Sequence, residues 1–140
     1  MTAETTCVFC GIAQGTVPSA TIARTDRAVA FMDINPVTLG HVLVVPLKHS
    51  TDLLDTVAED LAASIELAQD VAGRVTERLG ADGVNLLNCS GLAAWQSVFH
   101  FHLHVIPRYE DQPGRDAIGL PWAPVPGLAD ELQRVATLLR

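Results

Sequence analysis

A chain of 140 residues that is 49% hydrophobic and 18% charged is sized for one domain with a real core and is too apolar for a disordered chain. Its net charge of −7 argues against a protein that tracks a nucleic-acid backbone, so any phosphate site must be built locally from backbone amides and neutral donors. Three cysteines, two of them at Cys-x-x-Cys spacing, fit metal or thiol chemistry better than a disulfide framework. The polar, acidic first residues and the lack of an apolar run long enough for a membrane span imply a cytoplasmic protein without membrane partners.

Residues 1–6 read as a frayed terminus, after which Cys7 and Cys10 open a single helical turn that stops near Gly15. Residues 21–24 and 27–32 read as two short strands around a turn at Thr25 and Asp26. Pro36 breaks the second strand, and Gly40 releases the chain into 41–45, a β-branched run expected to be a central strand. Thr56 and Glu59 form a capping box that starts a helix over 56–79. Its stripe is Val57, Leu61, Ile65, Ala68, Ala72, Val75 and Leu79, ended by Gly80, and Glu59, Glu66, Asp70, Arg74 and Glu77 lie on the solvated face. Residues 84–88 give another strand, and Cys89 has no assigned role.

Phe99, Phe101, Leu103 and Val105 then alternate with His100, His102 and His104. In a strand the apolar set faces the core while the imidazoles share the other face, roughly 6–7 Å apart, near enough for adjacent rings to contact one phosphate. Beyond Pro107, with Lys48 and Arg108 bordering the sheet, glycines and prolines from Pro113 to Gly127 make an irregular arm containing Trp122, and a last helix covers 128–139. These elements predict one domain over 1–140, with its core at about 7–108, of the α+β class: a five-stranded, mainly antiparallel sheet with one long helix.

The alternating histidines, with the upstream segments in order and spacing from Cys7 to Arg108, resemble the histidine triad family, small nucleotide hydrolases and transferases acting at the α-phosphorus. The resemblance implies the histidine triad-like fold, a two-fold homodimer and a purine nucleotide substrate, with no organic cofactor and no nucleic-acid partner. It makes His102 the nucleophile, forming a nucleotidyl-histidine that water hydrolyses. Neutral imidazole suits this task if its other nitrogen donates to a nearby carbonyl. His104 would contact phosphoryl oxygens and His41 would help hold His102. Gln96-Ser97-Val98 resembles the family's Gln-x-Val element, in which the Gln96 amide and Ser97 hydroxyl bind bridging or leaving-group oxygens. Asn88 matches a phosphate or ribose contact, although a strand-end turn explains it equally well. Asp33 and Ile34 match the ribose and base element, with Phe9 and Phe31 beside the base or in the core.

In relatives that carry zinc, Cys7, Cys10, His49 (ending Pro-x-x-His) and His100 match a closed structural site. One departure is Trp95, where many relatives carry glycine. The activity implied is release of AMP or GMP from phosphoramidates or acyl-adenylates. Diadenosine polyphosphate hydrolysis or phosphorolysis is an alternative, as is a non-catalytic nucleotide-binding module.

Overall fold

The computed structural model describes residues 6–119 and 124–140. After helix α1 (Val8–Gln14), strands β1 (Thr21–Arg24), β2 (Ala28–Met32) and β3 (Val42–Pro46) lead into helix α2 (Ala58–Leu79); β4 (Gly83–Leu87), β5 (Leu103–Arg108) and helix α3 (Ala129–Leu139) follow. The five strands form one sheet in the order β1-β2-β3-β5-β4, and every adjacent pair is antiparallel. The expected α+β class and long helix are present.

The apolar run of β3 is explained by burial on both faces. Val42 and Val44 pack with Ala28, Ala30, Leu103 and Val105 under α2, whereas Leu43 and Val45 pack with Phe9, Val29 and Phe31 under α1. Alternation places successive side chains on opposite faces, so a strand covered twice reads as uninterrupted hydrophobic sequence. Gly40 enters β3 at φ +84°, and a Cβ there would lie 2.5 Å from Leu79 Cδ1. The positive φ of this turn therefore needs glycine, while a Cβ would only push the end of the Leu79 side chain aside.

Three expectations change. The capping box does not form: Thr56 donates its hydroxyl to the Asp52 carbonyl at 2.6 Å and contacts Ser50 Oγ at 2.7 Å, closing its own turn, and Val57 precedes α2 without a side-chain cap. Local bonding of a Ser or Thr hydroxyl competes with capping. The buried face of α2 is also rotated from the expected stripe: Asp60, Ser64, Leu67, Ala68, Val71 and Val75 are buried, while Val57 and Ile65 are nearly half exposed. Two overlapping helical stripes were available, and the sheet takes the one carrying small side chains, over Ala28 and Ala30. Its polar members are satisfied, Ser64 donating to the Asp60 carbonyl and Arg27 Nη1 pairing with Asp60 at 3.0 Å.

The third change concerns the triad segment. Only Leu103 onward is strand, and Phe99 is exposed. Phe101, Leu103 and Val105 still join the core, so the period-two pattern survives where the backbone has left the ladder. After β5 the chain is tethered: Arg108 pairs with Asp116 at 2.7 Å, Leu39 N–H donates to the Arg115 carbonyl, and Tyr109 donates its hydroxyl to the Leu39 carbonyl. Helix α3 buries no residue; Trp122 lies outside the described residues. Among those residues no helix is long and apolar enough to cross a membrane.

Candidate active site

A cavity of about 460 Å³ opens on the α1 face of the sheet, lined by Phe9, Phe31, Asp33, Ile34, Ser97, Val98, His41, His102 and His104 among others. Its apolar part joins α1 to β2 and β3, and its polar end is the triad segment. Sequence reading had not included Val17, Pro18 and Val37, which also line it and carry no chemical signature of their own.

Hydrogen-bond partners fix which nitrogen of each imidazole carries a proton. His102 Nδ1 lies 2.8 Å from the His100 carbonyl; a carbonyl only accepts, so Nδ1–H donates and Nε2 of the neutral ring keeps its lone pair. The expected backbone acceptor is thus found two residues back. In His41 the order is reversed. Val37 N–H donates to Nδ1 at 3.2 Å, so Nε2 is protonated and donates to His104 Nδ1 at 2.9 Å. His104 is left with Nε2–H. His41 therefore holds His104 and not His102, correcting the expectation. Burial first, then the neighbouring imidazoles, lowers His104 to a pKa of about 4, and burial also lowers His41 and His102. All three rings are neutral near pH 7.

Asp33, the first residue after β2, accepts Asn35 N–H at 2.8 Å and lies 3.6 Å from His41 Nε2. Ile34 is 91% exposed at the cavity rim, while Phe9 is buried with its ring edge-on to Phe31, His100 and His102. Gln96 behaves differently from a ligand donor. Its Nε2 donates to the carbonyls of Thr51 and Val98 at 2.7 and 3.2 Å, and its Oε1 accepts Gly91 N–H at 2.7 Å. Both N–H groups and the oxygen are engaged in holding the 91–98 loop. Asn88 also faces the backbone, donating to the His102 carbonyl at 2.9 Å. Trp95 takes φ +71° and is 79% exposed, so the loop accommodates an indole by turning it to solvent.

Beside the cavity, ligand atoms of Cys7, Cys10, His49 and His100 lie within 4.8 Å of one another. Cys10 Sγ is 3.3 Å from His49 Nδ1, and both sulfurs are 3.5 Å from His100 Nδ1. A zinc ion with Zn–S of about 2.3 Å and Zn–N of about 2.0 Å needs tetrahedral edges of about 3.5 Å between S and N. His100 Nε2 donates to the Pro46 carbonyl at 2.8 Å, which leaves the Nδ1 lone pair facing the thiols, the tautomer a metal ligand requires. Burial lowers His100 to a pKa of about 4, so the ring is deprotonated for ligation. Asp33, His41 and His104 also converge, but the Val37 donor keeps His41 Nε2 protonated, which opposes a metal there.

The HIT domain model matches residues 14–111. The chain belongs to the histidine triad (HIT) family. This HIT protein is 32% identical over 127 residues to the adenosine 5′-monophosphoramidase of Schizosaccharomyces pombe, covering 91% of this chain and 90% of that one. It resembles the crystal structure of a zinc-bound histidine triad family protein from Mycobacterium smegmatis at 40% identity and TM-score 0.75, covering 81% and 84% of the two chains. A HIT family member from Bacillus subtilis matches at 33% identity and TM-score 0.86, covering 96% and 94%.

Proposed function

We propose that this HIT protein is a hydrolase of nucleoside 5′-phosphate derivatives that works through a nucleotidyl-His102 intermediate and releases AMP or GMP. The observation that carries the reading is the opposite protonation of two adjacent imidazoles in one cavity, His102 with Nε2 unprotonated and His104 with Nε2–H. His102 Nε2 attacks the α-phosphorus as the bond to the leaving group breaks, and the leaving group departs with a proton taken from solvent. His104 Nε2–H and the Ser97 hydroxyl stabilise charge on the phosphoryl and leaving-group oxygens. Water then cleaves the Nε2–P bond, releases the nucleotide and returns His102 to its starting tautomer, with the proton given back to solvent. Asp33 accepts from ribose hydroxyls, and Phe9, Ile34 and Val98 contact the base, with Phe31 behind them.

Among the described residues lining the cavity none is Lys or Arg. Neutral histidines in an acidic protein suit amine or acyl leaving groups, as in phosphoramidates and acyl-adenylates, over the added charges of a dinucleoside polyphosphate. The activity named for the fission-yeast relative supports the same choice. Cys7, Cys10, His49 and His100 hold a structural zinc, which when bound ties the N-terminal turn to the triad segment and offers no open position for chemistry. Thiols at Cys7, Cys10 and Cys89, none of them in a disulfide, fit the reducing cytoplasm. The chain works as a homodimer through the exposed Ile65 side of α2, with Leu54 and Val57 just before it, and the open β4 edge, where Leu86 and Leu87 are exposed. A monomer mass by light scattering at micromolar concentration would end that part.

The deciding experiment compares turnover of adenosine phosphoramidate and diadenosine polyphosphates, with and without phosphate, and maps the trapped adduct by mass spectrometry. Phosphoramidate turnover with AMP on His102 is expected. Adduct on His100 or His104, or faster polyphosphate cleavage, overturns the assignment.

A further inference from the structure

His102 lies just before the start of β5. The β3 ladder ends at the Val44–Leu103 pair and the β4 ladder at Leu87–His104, so no ladder partner fixes the backbone that carries the proposed nucleophile. Its carbonyl is held instead by a side chain, Asn88 Nδ2–H, at 2.9 Å. Since a carbonyl only accepts, the amide orientation is fixed and Oδ1 faces Ser90, whose hydroxyl donates to it at 2.7 Å. Ser90 Oγ in turn accepts Leu53 N–H at 3.0 Å. The direction of every proton in this chain, from Leu53 through Ser90 and Asn88 to His102, is determined.

The loop behind Leu53 is itself braced. Asp55 accepts the N–H groups of Thr51 and Asp52 at 2.9 Å, and the Ser50 carbonyl accepts Phe101 N–H at 2.8 Å. Neither Asn88 nor Ser90 lines the cavity. With one N–H on the His102 carbonyl and its oxygen on Ser90, the Asn88 amide is held in a single orientation beneath the nucleophile and outside the cavity lining.

We infer that Asn88, backed by Ser90, is a positioning residue that replaces the missing ladder bonds beneath His102, and is not a nucleotide contact. The inference rests on the proposed role of His102 as nucleophile. Shifting a reacting atom by about 1 Å can cost about 100-fold in rate, so the predicted loss falls on the chemical step and not on binding.

The test uses Asn88→Asp, which keeps the shape and removes the donor, and Ser90→Ala, which leaves Asn88 in place but unsupported. Single-turnover formation of the adduct from adenosine phosphoramidate should slow by about 10- to 100-fold in Asn88→Asp and by less in Ser90→Ala, with AMP affinity by calorimetry within about twofold of the parent. An AMP affinity lowered more than about tenfold with an unchanged rate constant for adduct formation would overturn the inference. If Asn88→Asp does not fold, Ser90→Ala decides by the same pair of measurements. Imidazole nitrogen NMR separates this inference from the proposed function. In the parent protein His102 should be a single Nδ1–H tautomer, and in the variants a mixture; an unmixed tautomer in both variants overturns the positioning role even if the parent shows no turnover.

Discussion

Two groups of histidines sit side by side on one face of the sheet, and they differ in which nitrogen is engaged. In the group of Cys7, Cys10, His49 and His100, the Pro46 carbonyl takes the Nε2 hydrogen of His100 and leaves Nδ1 bare toward two thiols. In the group of His41, His102 and His104, the His100 carbonyl takes the Nδ1 hydrogen of His102 and leaves Nε2 bare toward the cavity. One residue joins them, since His100 offers its ring to the first group and its carbonyl to the second. Phe9 stands between, with ring centroids 6.0 Å from His100 and 5.1 Å from His102. Single backbone partners thus give identical side chains two residues apart opposite tautomers, the basis of the metal-binding and nucleophilic roles proposed for them.

Under that division, substitutions in the two groups fail in different ways. The largest effect is expected for His102→Ala, which should cut turnover by at least about 10³-fold, because the covalent route is lost and not one assisting contact. Zinc content by elemental analysis should stay at the parent value; joint loss of metal and activity would merge the groups. His41→Ala comes next. It frees His104 from its fixed tautomer, and a misdirected proton of this kind should cost about 100-fold in kcat, within the range of general acid–base contributions. A rate within about threefold of the parent would show that His104 keeps Nε2–H without help.

Cys7→Ser with Cys10→Ser should produce the converse. The variant loses bound zinc and melts earlier in calorimetry, because metal binding to a closed site is coupled to folding. At a temperature where it remains folded, its turnover should lie within about tenfold of the parent, as the site has no position for substrate. Loss comparable with His102→Ala would mean that the metal group takes part in chemistry.

How much of this was legible in the sequence follows from what periodicity encodes. The triad face could be read because alternation assigns sides even where the ladder is absent, and β3 because a doubly covered strand has no polar side. The face of α2 could not, since Val57, Leu61 and Ile65 make as good a stripe as Leu67, Ala68 and Val71 until the width of the sheet beneath is known. The roles of Thr56, Asn88 and Gln96 were hard to read for one cause. Each has a side chain able to cap, bind or brace, and the choice depends on which unpaired backbone group lies closest, a property of the folded loops at 50–56 and 88–98. The pairing of His41 with His104 depends likewise on the Val37 N–H, for which composition gives no sign.

The smallest effect is expected outside both groups, at Asp116. Its carboxylate accepts Arg108 Nε and Nη2 at 2.7 and 3.3 Å and the Tyr109 N–H at 3.0 Å. The Arg108 hydrogen bonds first, and the Tyr109 amide second, hold its pKa below the usual carboxylate range. A carboxylate whose pKa is lower folded than unfolded contributes stability above its unfolded value, near pH 4, and loses it as pH falls through the folded value. Asp116→Asn should therefore lower the urea midpoint at pH 7, with the difference shrinking to nothing well below pH 4. An equal difference at both pH values would place its contribution in packing instead. The same segment pairs with Thr38 and holds Leu39 N–H through the Arg115 carbonyl, next to the Val37 amide that sets the His41 tautomer. Any loss of activity in this variant should thus be slight and fall on kcat, and zinc content should not change, since the strain reaches only the histidines that hang from the 37–41 loop.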